Sequence, residues 1–512
     1  MKLQWNKQYN DAVLIALVVI FPIVLMGEPF ADDFNRMTGV RDYSVDGRYL
    51  TNIIFRFLSQ DNFLFNLAPL PQILGIVIYA ITLMFIVRKV KIFNRLQSGL
   101  LLLVTLTTPY MLAVYPYNYD TLSICIALSL FSIAPFLFNP NIFSYKSKEL
   151  YLNSCYKISL LIVAFLFYQP VLPTFVIASL FLFYYAKENK KQILIYNAVM
   201  IIVAYLFYTK AILNIYDDAV WYRQQSRINN IFLILDNIYY GVQSIGSFVI
   251  DYNKGFNGVP VLIITVLALY ISFKQSKGKK GFEQLVYYIG IPSVLLVNII
   301  AISIINLKSQ NLHLRLFISM SSALFYIVLI GLINIKNNKR YIYNILMLMI
   351  IIPSISTLCI FSYAFKLQKQ YEKMMITTLY DGFHYINQHK EKMQKEENTN
   401  MEKHLYYTYL ICQNDCLSPY SAKLVQRKSY MSDLLYNHTL FNFVTALNQY
   451  FISYKVDNQI LTQAQFLTQA QYYVYKRDKS IQENEKIYSS YLYDIYYDGN
   501  KHVNSYIIYV KS

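Results

Sequence analysis

Residues 67–95 read LAPLPQILGIVIYAITLMFIVRKVKIFNR. From 67 to 87 no side chain is charged, and then Arg88, Lys89, Lys91 and Arg95 arrive close together. An apolar run of this kind matches the roughly 20 residues that a helix needs to cross the bilayer core. In hydrocarbon the backbone has to satisfy its own hydrogen bonds, so the segment must be helical. The basic cluster marks the cytoplasmic end, because Lys and Arg accumulate in loops on that side. One stretch thus predicts both an element and its direction.

The rest of the chain repeats the pattern. Apolar blocks predict about eleven spans, near 12–28, 67–87, 97–114, 119–138, 156–168, 170–186, 192–209, 257–273, 284–306, 313–334 and 341–363. The pair meeting at Tyr168-Gln169-Pro170 is short, and it reads equally as one bent helix. Every second connection is basic: after the first cluster come Lys146, Lys148 and Lys157, then Lys187, Lys190 and Lys191, then Lys274, Lys277, Lys279 and Lys280, and finally Lys336, Lys339 and Arg340. This places the N-terminus in the cytoplasm and the long tail outside. No small-residue cleavage site follows the first apolar run, which reads as a retained span.

Composition agrees. Only 15% of the 512 residues are charged and 56% are hydrophobic, with a mean hydropathy of +0.32. Such a chain cannot cover itself with polar surface in water. The net charge of +17 does not point to nucleic acid, since the basic residues sit between apolar blocks and not along a groove. Five cysteines are too few for a disulfide scaffold. The expected architecture is an all-α polytopic membrane domain over 1–363, followed by a small extracytoplasmic domain over 364–512. The tail's tyrosines and short apolar-aromatic patches suggest an α+β fold for that domain.

The stretch richest in chemistry is the first outer loop, GEPFADDFNRMTGVRDYSVDGRYLTNIIFRFLSQ (27–60). Asp32 and Asp33 follow the first span, Arg36 comes three residues later, and Asp46-Gly47-Arg48 precedes a new apolar run. The plain reading is that the acids cap a short helix or hold the loop outside. The functional reading is that a carboxylate beside the membrane takes a proton from an acceptor hydroxyl. Arginines nearby would neutralise a phosphate leaving group.

This loop resembles the signature region of the serotype-converting, O-antigen glucosyltransferases of the Gtr type II kind. The matching positions are Asp32, Asp33, Arg36, Gly47 and Arg48. The resemblance continues through YPYNYDTLSICIALSL (115–130) with Asp120, through FYQP (167–170), and through LRLFISMSSALF (314–325) with Arg315. It covers roughly the first 360 residues; Tyr43 stands where a tryptophan is expected.

The resemblance implies a fold of the GT-C type and an inverting transfer from undecaprenyl-phosphate glucose to a surface glycan. It implies Asp32 or Asp33 as base, with Arg36, Arg48 and Arg315 near the donor phosphate and Asp120 beside them. No zinc motif and no Gly-rich phosphate loop stand in the sequence, so neither a metal nor a further cofactor is expected. The expected partners are the lipid-linked donor, the O-antigen or similar acceptor and the bilayer, in a bacterial cytoplasmic membrane that also holds a flippase and a synthase for the lipid-linked sugar. A polysaccharide transporter would predict two related halves and charges near the midplane, neither of which is seen in the sequence. An O-antigen polymerase is a third reading, supported only by the 210–256 segment.

Lesser candidates have plain readings. Lys210, Asp217, Asp218, Arg223 and Arg227 form a mixed cluster typical of a solvated loop, and His313 is a lone interfacial histidine. Cys412 and Cys416 fall within disulfide reach on a helix.

Overall fold

The computed structural model describes residues 7–26, 33, 43–61, 65–90, 94–137, 147–186, 189–213, 235–239, 242–243, 258–305, 314–335, 339–396, 406–412, 421, 423, 427, 464–466, 484–489, 493–500 and 503–510. The chain is a polytopic helical membrane protein. It divides into two compact units, Met1–Ile360 and Phe361–Ser512.

The first unit is built from α1 (Lys7–Val24), α2 (Tyr49–Ser59), α3 (Leu70–Val90), α4 (Arg95–Leu106), α5 (Asp120–Ile133) and α6 (Ser147–Phe167). There follow α7 (Pro173–Tyr185), α8 (Lys190–Phe207), α9 (Gly258–Ser276), α10 (Gly281–Ile305), α11 (Ser319–Asn334) and the start of α12 (Arg340–Glu396). Among the described residues, six helices are long and apolar enough to cross a membrane: Lys7–Val24, Leu70–Val90, Leu150–Phe167, Lys190–Ile212, Gly258–Ser276 and Arg340–Met374. Four shorter apolar helices accompany them. Each block expected to span falls on a helix; α2 is the short element between the first two.

One open alternative is resolved and two boundaries differ from the reading of the sequence, each for a local reason. The segment at Tyr168 is a true break: Tyr168 is extended, and a 3-10 turn at Gln169–Val171 leads into α7. Pro170 and Pro173 both sit in first turns, where a missing N–H costs nothing. Second, α6 begins at Ser147, so Lys157 lies inside a helix and not in a loop. Third, α12 continues as one helix to Glu396. Beyond 363 its residues are polar but rich in Lys, Gln, Glu and Met, which favour helix. Hydropathy marks where the apolar stretch stops, whereas helix propensity continues past it.

Close packing has identifiable causes. Gly75 on α3 faces α5 so tightly that a Cβ there would meet the Leu122 Cα and Thr121 O at 3.0 Å. Tyr79 on α3 shares a 2.9 Å hydrogen bond with Ser322 of α11, and Thr174 of α7 reaches the same serine at 3.4 Å.

One end of the first unit gathers the basic residues. Arg95 pairs with Asp11, and the Arg88 guanidinium lies over the Tyr9 ring. Tyr185 donates to the Lys89 carbonyl, and Lys190 donates to the Tyr287 hydroxyl at 2.6 Å. Gln275 bonds Asn334. These contacts join the starts of α1, α4, α8 and α10 to the ends of α3, α7, α9 and α11. The opposite end carries α2, the Gln169–Val171 turn and the starts of α3, α5, α7 and α11.

The second unit contains a five-stranded sheet ordered β2-β1-β5-β4-β3, from β1 (Tyr406–Cys412), β2 (Ala464–Phe466), β3 (Asn484–Ser489), β4 (Tyr493–Asn500) and β5 (Val503–Val510). β1 runs parallel to β2 and β5, while β3, β4 and β5 form an antiparallel meander.

Candidate functional site

Opposite the basic end, Asp33 is tied to the start of α5. Asp33 is fully buried, and its carboxylate accepts the backbone N–H of Asn118 at 2.8 Å and of Tyr119 at 3.3 Å. These amides lie just before α5, where the helix itself provides no acceptor. Asp33 thus caps the start of α5 through hydrogen bonds that an apolar residue could not supply.

The second tie is Arg48, which immediately precedes α2. Its Nη1 lies 3.4 Å from Asp120 Oδ1, with the two side chains 11% and 1% exposed. Asp120 occupies the first turn of α5, where the helix dipole favours a carboxylate. The guanidinium also sits 4.5 Å from the centroid of the Tyr168 ring, close enough for a cation–π contact. Arg48 therefore spans α5 and the break between α6 and α7.

The backbone before Arg48 is shaped by a glycine. Gly47 has φ +71°, and a Cβ there would stand 2.7 Å from the Tyr208 hydroxyl. That hydroxyl donates to the Gly47 carbonyl at 3.2 Å and accepts from Gln169 Nε2 at 2.6 Å. Gln169 also approaches the Asp46 carbonyl at 3.5 Å. Tyr208 opens a single π-helical turn at the end of α8, an irregularity often found where a helix serves a site. Thr51 of α2 donates to the Phe167 carbonyl at 3.2 Å, satisfying one of the orphan acceptors at the end of α6.

Beneath these ties lies an aromatic floor of Tyr43, Phe55, Tyr119 and Leu122. Tyr43 stacks on Phe55 at 5.7 Å between centroids, and Phe55 meets Tyr119 at 5.5 Å. The residue expected to be tryptophan therefore still fills an aromatic position. Gln72 of α3 donates to Asn118 Oδ1 at 2.6 Å, adding α3 to the cluster.

Of the residues singled out in the sequence, Asp33, Arg48 and Asp120 are brought together. Arg315 lies on a 3-10 turn, Leu314–Phe317, which packs against the Gln169–Val171 turn. Asp32 and Arg36 lie outside the described residues, as do Asp217, Asp218, Arg223, Arg227, His313 and Cys416. Sequence reading passed over Gln72, Asn118 and Tyr208 as individuals. The available signal for Gln72 was an amide inside an otherwise apolar span, and Asn118 stood within a quoted motif. Among the described residues, no group of three or more His, Cys, Asp or Glu is placed to hold a metal.

Comparison with known proteins adds three findings. The family model described as Glucosyl transferase GtrII matches residues 21–329, a stretch that contains every element of this cluster. A protein of Salmonella phage P22, described as an uncharacterized 55.3 kDa protein in the gtrB 5′ region, is 28% identical over 181 residues, which is 35% of this chain and 36% of the relative. The chain thus matches about a third of that relative's length. No solved structure matches.

Proposed function

Since the chain belongs to the GtrII glucosyl transferase family, we propose that it is an integral membrane glycosyltransferase that moves a hexose, glucose, from a polyprenyl-phosphate carrier to an O-antigen or similar surface glycan. The observation that carries this reading is the convergence of Asp33, Arg48, Asp120 and the Tyr168-Gln169 break at the end of the bundle opposite the basic residues. With eleven crossings and the basic loops in the cytoplasm, that end faces outward, as in a GT-C architecture. Nucleotide sugars are cytoplasmic, so a site there needs a donor carried by lipid. A synthase and a flippase would supply it.

The chemistry is a single displacement. The acceptor oxygen attacks the anomeric carbon, its proton passes to a carboxylate, and the bond from that carbon to the phosphate oxygen breaks. The electron pair leaves with polyprenyl phosphate, and the anomeric configuration inverts. The two neighbouring aspartates divide the work. Asp33 is engaged by two backbone amides, which suits a positioning residue; Asp32 is the base. Arg48 and Arg315, with Arg36, supply positive charge for the leaving phosphate, while Asp120 and Tyr168 hold Arg48 in place.

The test is transfer by the purified protein in liposomes loaded with polyprenyl-phosphate glucose and a lipid-linked glycan acceptor. Wild-type protein should transfer the sugar, and Asp32→Asn should abolish transfer while leaving thermal stability intact. Asp33→Asn should lower both. If Asp32→Asn, Asp33→Asn and the double variant all keep full transfer, the assignment of the base is wrong. If wild-type protein carries the lipid-linked sugar across the bilayer without transferring it, the protein is a transporter.

A further inference from the structure

Gln72 and Asn118 form a buried pair that keeps hydrogen-bonding capacity to spare. Gln72 is 4% exposed and Asn118 is 2% exposed. Their single mutual hydrogen bond runs from Gln72 Nε2 to Asn118 Oδ1. Gln72 Oε1 and Asn118 Nδ2 meet no hydrogen-bond partner among the described residues. Turning both amides over exchanges the roles but leaves the same remainder, one carbonyl acceptor and one NH2 donor. Buried amides are nearly always satisfied, and exceptions in a native fold call for an explanation.

The position of the pair supplies one. The Asn118 backbone N–H is held by Asp33, and two residues further on Asp120 holds Arg48. The pair is therefore wired directly into the cluster proposed as the catalytic site. The pair thus retains one acceptor and one donor, together the complement of a hydroxyl, which accepts one hydrogen bond and donates another.

We infer that Gln72 and Asn118 together read one hydroxyl of the transferred hexose and so set which sugar the enzyme accepts. This rests on the glycosyltransferase reading and names residues for donor choice within it. The Asn118 NH2 donates to the sugar oxygen, and the sugar hydroxyl donates to the Gln72 carbonyl. A sugar lacking that hydroxyl, or bearing it in the other configuration, leaves both amides buried and unpaired. Sites built to bond a hydroxyl reject the analogue lacking it by large factors, about 10⁴ in the strongest cases.

The experiment uses full-length protein in liposomes and a set of polyprenyl-phosphate glucose donors, each lacking one ring hydroxyl. Wild-type protein should show one position whose removal lowers kcat/KM by about 100-fold or more. Gln72→Met and Asn118→Leu should each close that ratio by about tenfold or more while leaving the other deoxy donors ranked as before. The wild-type series needs no substitution, so a variant that misfolds does not remove the test. Uniform tolerance of all deoxy donors overturns this inference alone, as does a ratio unchanged in folded Gln72→Met. A structure with donor bound in which a water bridges the two amides also overturns it. If no polyprenyl-phosphate hexose is transferred at all, the reading beneath it falls as well.

Discussion

At one end of the bundle Arg95 grips Asp11 with 67% of its side chain exposed; at the other, Arg48 meets Asp120 with 11% and 1% exposed. The residue types are the same and their circumstances are opposite. The exposed pair and the cations over Tyr9 and Phe85 cost little to maintain, because water and headgroups solvate them. A buried carboxylate and guanidinium lose that solvation, and their attraction regains it only with good geometry. A 3.4 Å contact is not the closest such geometry. Charges kept under those conditions are better explained by what they bind than by what they stabilise.

The widest contrast between the two ends is one of access. In a background whose native cysteines are replaced by serine, Asp61→Cys near the site and Lys277→Cys at the basic end both place thiols at exposed positions. A membrane-impermeant thiol reagent applied to intact cells should label the first and spare the second, and both should react after lysis. Labelling of Lys277→Cys alone would invert the topology. Asp32→Asn comes next in size, with a loss of transfer of about 10²–10⁴-fold, the range for a general base.

Within the site, Asp120→Leu should cost about 3 kcal/mol, since it breaks a buried ion pair from one side. Adding Arg48→Met to it should recover much of that stability in a thermal melt, but none of the transfer. A double variant that transfers normally would reduce the pair to an architectural role. Gly47→Ala should be milder. Its left-handed backbone costs an alanine about 1–2 kcal/mol, and the Tyr208 hydroxyl, 2.7 Å from the new Cβ, must move away. Tyr208→Phe removes that hydroxyl, so the double variant should melt above Gly47→Ala alone.

How much of this was legible beforehand differed between the ends. The basic end was nearly all in the sequence, because loop charge and span hydropathy are one-dimensional signals. Arg88 and Lys274 lie in the last turns of α3 and α9, and Lys190 and Arg340 open α8 and α12, each on a helix end beside the connection where it was expected. The site end was legible in its first loop, where Asp33, Arg48 and Gly47 crowd together, and in two later motifs, those of Asp120 and Tyr168. Gln72, Asn118 and Tyr208 are brought together by packing: the pair is 46 residues apart in sequence, and Tyr208 meets Gly47 across 161. Such contacts have no local signature. Lys157 misled for the converse reason. As a lysine beside an apolar block it read as a loop residue, yet it is fully buried on α6 and donates to Asn197 at 2.8 Å.

The smallest expected effect belongs to Asp11→Asn, and it is the control that gives the others meaning. Asp11 and Arg95 make a bidentate contact, far better formed than the one between Arg48 and Asp120. Contact geometry alone would therefore rank it as the more valuable pair. Solvent access reverses the ranking, since an exposed partner regains from water most of what it loses from the carboxylate. Topology should not change either, because orientation follows Lys and Arg and scarcely notices acids. Asp11→Asn should melt as wild type does, insert the same way and transfer within about twofold of it. A loss comparable to that of Asp120→Leu would show that the basic end is coupled to the site through α1 and α4, and that exposure is the wrong measure of which charges matter.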